Sequence, residues 1–211
     1  MFHVKLNARA ILERLTEPQS GQLHAYVTLL TERAVPMGMV SSSDADRIWE
    51  RHIEDSLRGL ECMRTEDRGA VDLGSGAGLP GIPLAIALPA VPFTLIEPKR
   101  RRAAFLELAV ESLGLENVSV VLDSAGETSP TTDLCLARAL APPAASWDMA
   151  SSLLSERGRV VYWAGRTWRD QQVEELARLG AKAKICQRPQ FQWQGPLVIM
   201  SPFSTTFPED G

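Results

Sequence analysis

The chain has 211 residues, 45% of them hydrophobic, and a formal net charge of −4. That length buries one full core with a small appendage, and the acidic balance excludes a broad, non-specific nucleic-acid surface while leaving room for a local basic patch. Three cysteines, Cys62, Cys135 and Cys186, are far apart and form no C-x-x-C pair, so we expect a reduced, cytoplasmic protein without structural zinc. Charges punctuate residues 4–15, which argues against a signal peptide. The most apolar run, residues 82–93, holds three prolines and is shorter than the ~18 residues of a membrane span, so a soluble protein is expected.

The first sixty residues carry helical spacing. Leu6, Ala10, Ile11 and Leu15 fall on one face, and Leu23, Tyr26, Val27 and Leu30 repeat the pattern after Pro18. The serines before Asp44 offer N-caps for a third helix over about 45–60. From Gly69 onward short apolar runs alternate with amphipathic ones. Strands are predicted near 70–73, 93–97, 118–122, 133–137, 159–163, 182–187 and 196–201, and helices near 82–88, 99–113, 143–154 and 169–179. Such alternation implies an α/β fold with a mostly parallel sheet covered on both faces. Ligands then bind across the carboxyl ends of the strands, where Asp72, Glu97, Asp123, Arg138 and Ala164 stand.

Residues 72–78 read Asp-Leu-Gly-Ser-Gly-Ala-Gly, and Gly81 follows. Glycines at 74, 76, 78 and 81 let backbone N–H groups approach a ligand closely. Glu97, about 20 residues on, stands where a carboxylate accepts from both hydroxyls of a ribose. Two cofactors fit an adenosine pocket of this kind. Residues 76–81 match the dinucleotide fingerprint, but Asp72 beside the turn would repel a pyrophosphate. Pro80 and Pro83 also delay the helix whose first N–H groups would cradle phosphate. The preferred ligand is S-adenosylmethionine, because an acid two residues before the glycines resembles the first motif of methyltransferases that use it. Asp72, Gly74 and Gly76, with Glu97, are the candidate cofactor-binding residues.

Four segments carry a wider resemblance: Arg-His-Ile-Glu-Asp-Ser-Leu at 51–57, Gly-Leu-Pro-Gly-Ile-Pro-Leu at 78–84, the run from the acid Glu97 through Lys99, Arg100, Arg101 and Arg102, and Arg-Ala-Leu-Ala-Pro at 138–142. In this order, over roughly residues 20–200, the chain resembles the bacterial ribosomal small-subunit RNA guanine-N7 methyltransferases, once called glucose-inhibited division protein B. The resemblance implies a Rossmann-like fold with sheet order 3-2-1-4-5-7-6 and an antiparallel strand seven. It implies transfer of a methyl group from S-adenosylmethionine to N7 of a guanine in 16S ribosomal RNA, free or in the small subunit. The alternatives are a different acceptor or a non-catalytic cofactor-binding protein. Residues 1–62 become an N-terminal helical segment, 63–203 the methyltransferase domain and 204–211 a frayed tail. A monomer is expected, with no metal and no membrane partner.

N7 of guanine carries its own in-plane lone pair, so attack on a sulfonium methyl group requires no general base, and alignment and electrostatics suffice. Arg138, a lone cation at the end of the fourth strand, is the candidate catalytic residue. Cys135 reads as a core residue. Arg51 with Asp55, and His52 with Ser56, are spaced for i, i+4 pairing. The cations at 99–102 oppose the dipole of their helix, which favours a role facing phosphate. Trp163 reads as core, whereas Trp168 and Trp193 carry no assignment. Neutral residues replace family cations at Ser124, Ala164 and around Ser201. Ser124 lies within residues 123–127, and Arg166 is the nearest substitute for the cation missing at Ala164.

Overall fold

A computed structural model describes residues 13–124 and 131–204. The early spacing of Leu6, Ala10 and Ile11, the end of the 123–127 segment and the tail from 205 lie outside the described residues. Helix α1 (Glu17–Leu29) starts at a capping box, with Thr16 as cap, Gln19 three residues on and Pro18 in the first turn. The same Gln19 amide donates to the carbonyls of Ile86 (2.9 Å) and Ala87 (3.2 Å), so one side chain closes the start of α1 and the end of another helix. The helix continues into a π-turn, Leu30–Ala34, where the Val35 N–H reaches back to Leu30.

The expected third helix is not one regular helix. It is a chain of short pieces: 3-10 over Ser42–Arg47, π over Trp49–Glu54, α2 (Asp55–Leu57) and 3-10 over Arg58–Cys62. Ser41 caps its start, as the serine run predicts.

The sheet holds seven strands: β1 (Ala70–Leu73), β2 (Phe93–Ile96), β3 (Val118–Val121), β4 (Thr132–Arg138), β5 (Leu154–Trp163), β6 (Ala181–Gln187) and β7 (Leu197–Pro202). Their order is β3-β2-β1-β4-β5-β7-β6, as the family resemblance implies. The first five strands pair in parallel, and β7 runs antiparallel between β5 and β6. Between them lie α3 (Gly81–Ala87), α4 (Arg100–Leu113), α5 (Pro143–Ser151) and α6 (Asp170–Arg178). β5 begins earlier than its apolar stretch predicts, because Gly158 packs against the Thr132 carbonyl and lets a polar leader join the ladder. α5 ends correspondingly sooner. α3 starts at Gly81, so Pro83 does not delay it but sits in its first turn, where a missing N–H is harmless.

Central strand β1 is buried along its whole length, and both faces of the sheet are covered. On one face Leu23 and Tyr26 from α1 and Leu30 from the π-turn after it share a core with Ile82, Leu95 and Phe105. On the other, Trp147, Ala150 and Leu176 pack on Val160 and Val198. The expectation of three reduced cysteines is corrected: Cys62 and Cys186 are paired as a disulfide, which ties the end of the helical run to β6. Cys135 is a buried free thiol, as expected of a core residue. Among the described residues no helix is long and apolar enough to cross a membrane, and no group of His, Cys, Asp and Glu is placed to hold a metal ion.

Candidate active site

Register brings the strand-end residues together. Asp72 stands opposite Leu95 and Leu136 in its two neighbours, and Arg138 stands opposite Trp163. Beyond β1 the chain turns through Gly74, Gly76 and Gly78 with φ of 63°, 58° and 87°. These are left-handed conformations that L side chains rarely adopt. In front of Gly76 a side chain would meet only the Gly74 carbonyl, at 3.8 Å, so this part of the turn is open to a ligand.

The two acids of the turn have different tasks. Glu97 lies behind Gly76, accepting its N–H at 2.9 Å and that of Lys99 at 2.9 Å, one on each carboxylate oxygen. Each oxygen has a second lone pair, which suits a ribose diol. Both carboxylates are buried, each 1% exposed; Asp72 accepts the Gly81 N–H at 3.0 Å and so fastens the turn to the start of α3. Burial pushes its carboxyl up to about 7, against the Gly81 hydrogen bond, which favours the anion. The turn is also braced from α1: the buried Tyr26 hydroxyl donates to the Ala77 carbonyl, and burial raises its pKa well above the usual phenol value. Neither brace was visible in the sequence, where Tyr26 reads simply as an apolar-face residue.

Next to the turn, a cavity of about 540 Å³ opens at the carboxyl ends of β4 and β5. The connection is Ala139, a non-glycine residue at φ 51°, which sends Arg138 into the cavity and Leu140 onto Gly74. A side chain at Gly74 would approach Leu140 Cδ1 to 2.5 Å. Thus the two halves of the site are in contact through adjacent residues of one loop.

Arg138 is held from several sides. Its Nη2 donates to the Arg51 carbonyl (2.9 Å), meets His52 Nδ1 at 3.1 Å and lies 3.3 Å from the Asp55 carboxylate. Since the guanidinium only donates, His52 Nδ1 is the acceptor and the ring is neutral. Burial and then the Arg138 charge lower its pKa to about 4, in agreement. Asp44 Oδ2 lies 3.2 Å from Nε2, off the regular hydrogen-bonding direction.

The i, i+4 pairing of Arg51 with Asp55 does not form. Arg51 pairs with Asp44 at 2.6 Å, and Asp55 takes Arg58 at 2.7 Å as well as Arg138. The π-turn through Trp49–Glu54 adds a residue per turn and rotates the two side chains apart. Ser56 does turn back to His52, donating to its carbonyl at 2.6 Å. Arg58, fully buried, also binds Gln187 and the Gly195 carbonyl. Its only sequence signal was its i+3 spacing from Asp55.

Trp163 is core and donates from Nε1 to the Asp55 carbonyl, as its strand position predicts. Trp168, Trp193, Ala164 and Arg166 line the cavity, with Arg166 exposed. Lys99, Arg100 and Arg101 are exposed at the start of α4, beside Glu97 and not along the cavity. Ser124 is exposed next to Asp123. Ser201 is fully buried within β7 and does not face the cavity.

The family described as rRNA small subunit methyltransferase G (GidB) matches residues 19–191. A protein of that name from Mycolicibacterium gilvum is 36% identical over 204 residues, covering 91% of this chain and 88% of the relative. Another from Acidiphilium cryptum is 39% identical over 146 residues, covering 68% and 67%. Among solved structures, a SAM-dependent methyltransferase from Aquifex aeolicus shares the fold with a TM-score of 0.57 at 16% identity, over 78% of this chain and 97% of that one. Fibrillarin from Aeropyrum pernix, solved with natively bound S-adenosyl-L-methionine, does so with a TM-score of 0.50 at 16% identity, over 64% and 66%. The chain belongs to the rRNA small subunit methyltransferase G family, and S-adenosylmethionine is its methyl donor.

Proposed function

We propose that the protein transfers a methyl group from S-adenosylmethionine to N7 of a guanine in 16S ribosomal RNA, acting as a single chain in the cytoplasm. One observation carries the choice of acceptor: among the described residues lining the cavity, both carboxylates and the imidazole Nδ1 are already engaged by arginines. Asp44 and Asp55 are bound to arginines, and His52 Nδ1 is taken by Arg138. Cys135 is buried behind the sheet surface, its thiol pushed up to about 12. This arrangement suits an acceptor that brings its own lone pair, as guanine N7 does.

When bound, the cofactor supplies an electrophilic methyl group on a sulfonium. Glu97 is placed for its ribose hydroxyls, and Gly74 and Gly76 give backbone access. Asp72 holds the turn in shape through Gly81, at the motif position that serves the amino-acid end of the cofactor. Arg138 presents a fixed cation to the nucleotide entering the cavity, and Arg166 stands in for the neutral Ala164. The helical segment through residue 62 serves as a buttress, Tyr26 bracing the turn and residues 51–58 bracing Arg138.

The test is transfer of labelled methyl from S-adenosylmethionine to small subunits lacking 7-methylguanosine, with the modified base identified by nuclease digestion and mass spectrometry. Label in 7-methylguanosine supports the reading. Cofactor binding without transfer would move the protein to a non-catalytic role, and label in another base would replace the acceptor.

A further inference from the structure

The turn between β6 and β7 places an aromatic pair at the lip of the cavity. Phe191 and Trp193 stack with ring planes 4° apart and centroids separated by 5.6 Å. Trp193 lines the cavity, and the Arg51 guanidinium lies 5.7 Å from its centroid. Phe191 is 50% exposed.

The turn carrying this pair is rigidly built. The buried Gln194 side chain accepts the N–H groups of Gln190 (3.1 Å) and Phe191 (3.3 Å), and the Gln194 N–H returns to the Phe191 carbonyl. Gly195 packs so closely on Ala164 and Gly165 that a side chain there would strike backbone, and its carbonyl is held by Arg58. An apolar ring fixed outward by a hydrogen-bonded turn gains nothing for the core. With Trp193, which also carries the Arg51 guanidinium, it forms an aromatic pair at the mouth of the acceptor cavity.

We propose that the Phe191–Trp193 stack docks one unpaired base of the RNA beside the nucleotide being methylated. This rests on the RNA reading above. Stacking on an aromatic ring is tolerant of base identity. Arg166, exposed on the cavity wall, supplies charge for a phosphate beside such a base. The platform therefore adds affinity for a single-stranded or splayed region, while Arg138 remains the cation at the reacting end.

The test is steady-state methyl transfer to undermethylated small subunits by Phe191→Leu and Phe191→Tyr. Leucine keeps the apolar surface and removes the ring, whereas tyrosine keeps the ring. Phe191→Leu should raise the KM for subunits about tenfold with kcat within about twofold, a change within the range for one lost base stack. Phe191→Tyr should match the native protein, and cofactor affinity by calorimetry should be unchanged in both. Equal KM values for Leu and native protein, or an equal loss in Leu and Tyr, would overturn the platform.

If the native protein transfers no methyl group at all, the RNA activity fails separately. The platform is then judged by tryptophan fluorescence with a single-stranded RNA 12-mer. Saturable quenching that weakens in Phe191→Leu supports it, and an absence of quenching overturns it.

Discussion

Arg138 and Arg58 share one carboxylate: Asp55 lies 3.3 Å from the first and 2.7 Å from the second. The buried Arg58 holds the backbone of the 195 turn, whereas Arg138 enters the cavity, so Asp55 couples architecture to chemistry. Arg138→Ala leaves the Asp55–Arg58 pair intact. It should slow methyl transfer on the order of 100-fold while leaving the calorimetric affinity for S-adenosylmethionine within about twofold. Asp55→Ala strands a fully buried guanidinium and should cost about 3 kcal/mol of stability in urea unfolding.

Tyr26→Phe removes the hydroxyl that holds the glycine turn at Ala77 and leaves a buried carbonyl unsatisfied. A loss of about 1–2 kcal/mol is expected in denaturant unfolding, with weaker cofactor binding by calorimetry and no change in the KM for RNA.

Asp72 sets a pH dependence. Its folded pKa, raised to about 7 by burial, lies above that of an unfolded aspartate, so the folded state keeps a proton the unfolded state has lost. Its contribution to stability is complete below about pH 4 and declines as pH rises towards 7. His52, lowered to about 4, has the opposite slope, because the unfolded imidazole takes up a proton first as pH falls below 6.5. The Asp72 component is isolated by comparison with Asp72→Asn, whose side-chain oxygen still accepts from Gly81. The stability of the native protein relative to this variant should fall between pH 4 and 7 and be level above, as measured by urea unfolding at each pH.

Gly195→Ala tests the close contact of the 195 turn with the end of β5. The added methyl meets backbone on both Ala164 and Gly165, so the turn must move and Arg58 loses its carbonyl partner. A loss of about 1–3 kcal/mol in thermal unfolding is expected, together with a raised KM for the RNA substrate.

The disulfide closes a long loop between the helical run and β6. A reducing cytoplasm opposes such a bond, so the form to test is protein purified under oxidising conditions: non-reducing peptide mapping should recover Cys62 linked to Cys186, with Cys135 as the free thiol. Dithiothreitol or Cys62→Ser should lower stability by about 2–4 kcal/mol.

The strands were legible in the sequence because each is a short apolar run set off by glycine, proline or polar turns, and even the antiparallel place of β7 followed from the family motifs. Glu97 and the glycines are where their spacing predicts. Local pattern failed where one extra residue per turn redirects a side chain: the π-turn over Trp49–Glu54 sends Arg51 to Asp44. It failed again where the partner is remote in sequence, as for Tyr26 with Ala77, Arg58 with Gln187, and Cys62 with Cys186. The bond from the Gly81 N–H to Asp72 was hidden for another reason. A motif places a carboxylate beside the loop, but only packing decides what it binds.

The shared core of Leu23, Tyr26 and Leu30 with Ile82, Leu95 and Phe105 has a temporal side. During synthesis α1 emerges before its partners, which follow only after the chain has grown past α4, on the order of several seconds later at ordinary elongation rates. Throughout that interval the apolar face of α1 lacks the surface it packs on, and completion of one sheet face, rather than the emergence of α1, sets the moment of its burial.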